Sequence, residues 1–96
     1  MKLPSLLNEE EVVQRASDIP NWKLVEKHHF RGVFKFKDFQ DALEFVVKVG
    51  EVAGSLNHHP EINLSWGRVE ILIFTHDRGG ITELDFQFVK GVNEIL

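Results

Sequence analysis

A chain of 96 residues with a formal net charge of −4 and no cysteine has room for one hydrophobic core, so a single domain over residues 1–96 is expected. The missing cysteines exclude disulfide frameworks, thiolate metal sites and cysteine nucleophiles, and the acidic balance, with Lys and Arg dispersed among acids, argues against binding nucleic acid. No apolar run approaches the roughly 18 residues of a membrane span, and residues 1–7 hold no continuous signal-peptide core, so a cytoplasmic protein without a membrane partner is expected.

The first element is a short helix. Asn8 and Glu11 have the spacing of a capping box, Leu7 and Val12 that of a hydrophobic staple, and Val13 and Ala16 continue the apolar face to about Ser17. Residues 18–21 break it. Trp22 and Leu24 alternate with Lys23, and Phe34 and Phe36 with Lys35, which predicts two half-buried strands joined by a hairpin around residues 27–29. Asp38 can cap a long helix in which Phe39, Ala42, Leu43, Val46, Val49 and Ala53 recur at helical spacing, with Gly54 as its stop. Phe45 and Val47 widen the apolar face, which points to packing against another subunit.

Ile62, Leu64 and Trp66 then alternate with Asn63 and Ser65, and Gly67-Arg68 turns the chain into a last strand over residues 69–75. That strand is apolar on both faces at Ile71, Leu72, Ile73 and Phe74, as a central strand or one at a subunit boundary would be. Gly79-Gly80 ends it, and Thr82 and Asp85 occupy capping positions of a final helix striped by Leu84, Phe88, Val92 and Ile95. The pattern predicts an α+β fold of two layers, a four-stranded antiparallel sheet of two hairpins covered by about three helices.

The chemistry rests on five histidines, since imidazole gives and takes protons near neutrality. His28 and His29 fall in the first hairpin turn and read as solvated residues without a role. His58 and His59 follow the long helix, and Pro60 restricts His59 to an extended backbone, which fixes how its ring is presented. His76 sits where the last strand enters a loop, a common place for active-site groups. Adjacent extended residues point to opposite sides, so His58 and His59 are poorly placed to share an ion, and no metal site is expected. No serine stands in a nucleophile-elbow context.

The segment 58–85 resembles the pterin-4a-carbinolamine dehydratase family. The resemblance consists of His58-His59-Pro60, then Trp66, His76 and Asp85 at the family's spacing, and it extends to Phe34-Lys35-Phe36-Lys37-Asp38-Phe39 ahead of the long helix. One position departs from the pattern: the family usually has an acidic or other ionisable residue four places before the first motif histidine, where this chain has Gly54, and Glu51 lies one helical turn earlier.

The resemblance implies dehydration of a 4a-hydroxytetrahydropterin to quinonoid dihydropterin and water, a step of tetrahydrobiopterin recycling. Histidines act as general acid and base, and no cofactor or metal is needed. It implies His58 and His76 as the acid–base pair, with His59 contributing mainly to binding. Pro60, Thr75, Asp77, Arg78 and Asp85 then line the substrate. Asp85 has two open readings, orienting His76 or capping the last helix, and Trp66 reads as core or interface more than as a substrate stack. The resemblance also implies a homodimer or homotetramer. It leaves an alternative in which the domain is a binding module that stabilises a partner protein's dimer.

Overall fold

A computed structural model describes residues 4–96; residues 1–3, part of the N-terminal segment considered as a leader, lie outside the described residues. Helix α1 (Glu9–Ala16) is followed by strands β1 (Trp22–Val25) and β2 (His29–Lys35), helix α2 (Phe39–Leu56), strands β3 (Glu61–Ser65) and β4 (Arg68–Ile73), and helix α3 (Glu83–Glu94). The sheet order is β1-β2-β4-β3, every pairing antiparallel. The two expected hairpins therefore lie side by side through β2 and β4, and β4 is an inner strand, as its two apolar faces require.

Strand alternation decides which face the helices cover. Phe30 and Phe34 of β2 and Val69, Ile71 and Ile73 of β4 are buried, and they meet Ala42, Phe45, Val49 and Ala53 of α2 and Phe86, Phe88, Val89 and Val92 of α3. The alternate residues of the same strands form an uncovered face, polar where Arg31 pairs with Glu70 at 2.6 Å and apolar at Leu72 and, just past the end of β4, at Phe74. The architecture is the two-layer α+β sandwich read from the pattern.

Close approach explains one glycine in the core. Gly32 lies opposite Trp22, and a Cβ there would stand 2.9 Å from the Trp22 ring. The indole, packed edge-on to Phe34 and Phe88, donates from Nε1 to Asn93 Oδ1 at 3.0 Å. Its buried polar atom is thereby satisfied. Arg15 ties α1 to α3 through a two-pronged contact with Glu83 at 2.8 and 2.7 Å, and its guanidinium lies 4.0 Å above the Phe86 ring.

Several local expectations are corrected. The long helix runs through Gly54 to Leu56, and the stop is Asn57, which adopts the left-handed conformation (φ 48°, ψ 44°) while the His58 amide closes onto Ala53 O at 3.1 Å. Phe45 is buried in the core, its ring tilted against those of Phe34 and Phe36 at 5.0 Å from each, so it does not face another subunit. Val47 does remain exposed, as do Val13 and Phe39, which the helical pattern had placed on buried faces. The second hairpin turns at Trp66-Gly67, since Ser65 already pairs with Arg68, and Trp66 is 69% exposed, which excludes a core role.

Candidate active site

The loop after α2 and the loop after β4 meet over the first turn of α3. Asn57 turns the chain out of its helix, and His58, the next residue, points inward: its Nε2 lies 2.6 Å from Asp85 Oδ1. Asp85 is fully buried, and its other oxygen accepts from the Thr75 hydroxyl and from the Thr82 amide, each at 2.8 Å. The single hydroxyl proton of Thr75 is committed to Asp85, so at the 2.8 Å contact between Thr75 and Thr82 it is Thr82 that donates.

This network fixes a protonation pattern. A carboxylate accepting from a hydroxyl and an amide on one oxygen needs a donor on the other, so His58 carries its proton on Nε2. Among the described residues no fully buried side-chain nitrogen or oxygen lacks a partner, and Nδ1 of His58 has no hydrogen-bond partner there. Nδ1 is therefore not completely buried, although the side chain as a whole is only 10% exposed. The arrangement holds a histidine by one nitrogen on a buried carboxylate and presents the other for proton transfer.

Asp85 thus resolves its two readings differently from either alone. It caps α3 by accepting from the Thr82 amide, and it orients a histidine, but the histidine is His58 rather than His76. His76 opens a one-turn 3-10 segment (His76–Arg78), is exposed, and rests on Phe74 with ring centroids 4.0 Å apart. His59 is exposed and Pro60, just before β3, half-buried. Thr75 is buried, and its carbonyl accepts the amides of Arg78 and Gly79 at 3.0 and 2.9 Å, so its polar groups serve the turn and Asp85. Asp77 and Arg78 are exposed, and Arg78 Nε donates to Pro4 O at 2.8 Å.

A cavity of about 230 Å³ opens on the uncovered sheet face beside these groups, lined by His28, His29, Glu61, Leu72, Phe74 and His76. His28 and His29 were expected to be solvated turn residues. The structure places them half-buried, His29 as the first residue of β2, with His28 against Phe74 at 4.4 Å between centroids. The signal that could have found them is weak: His29 falls on the same strand face as Arg31, opposite the buried Phe30. No group of three or more His, Asp or Glu side chains among the described residues is arranged to hold a metal ion.

The family model described as Pterin 4 alpha carbinolamine dehydratase matches residues 5–95. The chain belongs to this family. Two relatives, both named "Putative pterin-4-alpha-carbinolamine dehydratase", support the same membership. The protein from Rubrobacter xylanophilus is 46% identical over 89 residues, covering 93% of this chain and 83% of its own length. That from Sulfolobus acidocaldarius is 37% identical over 89 residues, covering 93% and 97%. The crystal structure of a transcriptional coactivator/pterin dehydratase from Brucella melitensis superposes with a TM-score of 0.87 at 33% identity, over 95% of this chain and 98% of that one. The pterin carbinolamine dehydratase fold is thus shared along nearly the full length, and of the motif positions the structure joins His58 to Asp85 directly, while His76 lies next to Thr75, which bonds the same carboxylate.

Proposed function

We propose that the chain dehydrates a 4a-hydroxytetrahydropterin to quinonoid dihydropterin and water, with His58 and His76 as the acid–base pair. The observation that carries this reading is the 2.6 Å contact between His58 Nε2 and buried Asp85, which leaves Nδ1 as the working nitrogen. His76 follows Thr75, itself bonded to the same carboxylate, so both imidazoles belong to one end of the sheet.

Hydroxide leaves poorly, so one imidazolium delivers a proton to the 4a-oxygen as the C4a–O bond breaks. The other ring, neutral, takes the proton from N5, and the electron pair of that N–H bond becomes the N5=C4a double bond. Water departs, the two rings have exchanged charge states, and solvent restores them. Each proton transfer is worth about 10²- to 10⁴-fold, and no step calls for a metal or cofactor. His59, exposed beside the site, contributes to holding the substrate together with Pro60 and the exposed turn at Asp77 and Arg78; Thr75 and Asp85 act by holding His58. The role in tetrahydrobiopterin recycling and the cytoplasmic location belong to this proposal.

A steady-state assay of carbinolamine dehydration tests it. Acceleration over the spontaneous reaction that is lost in His58→Ala supports the reading, and a rate equal to the spontaneous one refutes it.

The likeness to the Brucella coactivator/dehydratase favours a second reading, a binding module of coactivator type. The surface for it is the outer side of α2, where Val47 is 56% exposed and Gly50 and Gly54 face open space. A homodimer or homotetramer through the same helix or through the edge strands β1 and β3 is the simpler use. Sedimentation showing only an 11.1 kDa species would remove self-association.

A further inference from the structure

His28 and His29 lie outside the family motif, yet they form one wall of the cavity that His76 also lines. The turn that carries them is held in an unfavourable shape. Glu26 and Lys27 have φ of 53° and 55°, a region disfavoured for any residue with a Cβ and normally filled by Asn or Gly in such hairpins. Backbone held this way is a common mark of a functional segment.

The two rings constrain each other. Their Nδ1 atoms are 3.1 Å apart; two bare nitrogens or two N–H groups would repel, so one ring donates and the other accepts. In the neutral pair the donating ring then has a bare Nε2 and the accepting ring an Nε2–H. The pair offers a donor and an acceptor side by side, and a concerted change of tautomers exchanges them. A hydroxyl, itself donor and acceptor, satisfies such a pair in either state. Phe74 connects this wall to the reacting end, with His28 at 4.4 Å and His76 at 4.0 Å between centroids.

We propose that the His28–His29 pair recognises the C6 substituent of the reduced pterin, selecting a short, neutral, hydroxylated chain, and that Glu61 rejects an anionic one. The proposal rests on the dehydratase reading of the same site. In a reduced pterin C6 is separated from the reacting C4a by one ring nitrogen. With the 4a-oxygen at His76, a C6 chain can follow Phe74 toward the pair. A cavity of 230 Å³ has room for about eight waters, which suits a chain of a few atoms. Glu61, on the same cavity wall as the strand β3 edge, would face a phosphate or carboxylate end with like charge.

Calorimetric titration with 7,8-dihydropterins tests it, because binding can be read without turnover. The ligands carry a dihydroxypropyl chain, a methyl group or a phosphorylated hydroxypropyl chain at C6. The wild type should prefer the dihydroxypropyl ligand over the methyl one by about tenfold, the size of one well-made hydrogen bond. His28→Phe and His29→Phe keep a ring against Phe74 but no nitrogen, and each should reduce that preference to about twofold or less. Glu61→Gln should tighten the phosphorylated ligand several-fold. Far-ultraviolet circular dichroism verifies that each variant is folded, and His28→Asn serves if a Phe variant is not. An unchanged preference in folded variants overturns the proposal, as does equal weakening of both neutral ligands. Failure of the dehydratase reading looks different: wild-type protein would then bind the ligands with this preference yet not accelerate carbinolamine dehydration. Wild-type protein that binds none of the three refutes both.

Discussion

Replacing Asp85 with asparagine preserves shape and removes a charge that three donors share. The amide has one accepting oxygen, and its orientation is decided by what each choice leaves unpaired. With the oxygen toward His58, the NH₂ would face the Thr82 amide and the Thr75 hydroxyl, now 2.8 Å from Oδ2, and a buried backbone N–H without a partner costs about 1–3 kcal/mol. With the oxygen toward Thr75 and Thr82 both bonds survive, and only the contact with His58 reverses. The second arrangement wins, and it turns the NH₂ onto Nε2. His58 must then give up its Nε2 proton and carry it on Nδ1, so the nitrogen proposed to work can no longer alternate between bare and protonated states. Turnover should fall by about 10²- to 10⁴-fold. Stability should fall less. Three charge-assisted bonds each weaken by about 1 kcal/mol, and release from burying an ionised carboxylate returns part of this. The net is about 2 kcal/mol, or about 10 °C in Tm for a domain of this size. Urea unfolding followed by circular dichroism reads the stability, ¹⁵N chemical shifts of the His58 ring read the tautomer, and the dehydration assay reads kcat. A folded Asp85→Asn protein with the proton still on Nε2, or with wild-type kcat, would refute the reasoning.

His58→Ala and His76→Ala should each lower kcat by about 10²-fold or more, with the double variant losing less than the product of the two, while His59→Ala should chiefly raise KM; stopped-flow single turnovers separate these effects. Gly54→Ala should stabilise the chain by about 0.5–1 kcal/mol in urea unfolding, because a Cβ there meets nothing within 4 Å inside a continuous helix. The Arg15 guanidinium hydrogen-bonded to Glu83 holds that carboxyl below the usual glutamate range. A depressed folded value means stability present above the unfolded pKa and lost as pH falls through the folded one, so Glu83→Gln should cost about 0.5 kcal/mol at pH 7. That difference should vanish in acid, as urea titrations at several pH values would show.

The layers were legible because burial writes itself into local spacing. The alternation of Trp22 and Leu24 with Lys23 and of Phe34 and Phe36 with Lys35, together with the apolar run from Ile71 to Phe74, pointed to the sheet, and the recurrence of Ala42, Val49 and Ala53 to the helix above it. Helix ends were less legible. Gly54 is a good stop by composition, but the His58 amide finds its acceptor at Ala53 only if the helix continues and Asn57 reverses. The site was legible as residue types and not as partners. Asp85 and His58 are separated by 27 positions, and only the packing of α3 under the loop after α2 decides which histidine the carboxylate meets. His28 and His29 were missed because a turn with Glu26 and Lys27 at positive φ carries none of the usual Asn-Gly signal, and the ring at Phe74 that shelters them comes from the other hairpin.

Among the described residues the sheet has helices on one side only, and the cavity lies on the side without them. A ligand arriving there crosses no packed layer and displaces no helix, so entry and exit need no lid motion of the kind that limits many enzymes. Association should therefore proceed at the rate of a preformed, solvent-open site, with release equally ungated. Water is not shut out either. For the proposed dehydration, whose product is water, continuous contact of the cavity with bulk would serve both to carry the product away and to restore the proton on His76 between turnovers.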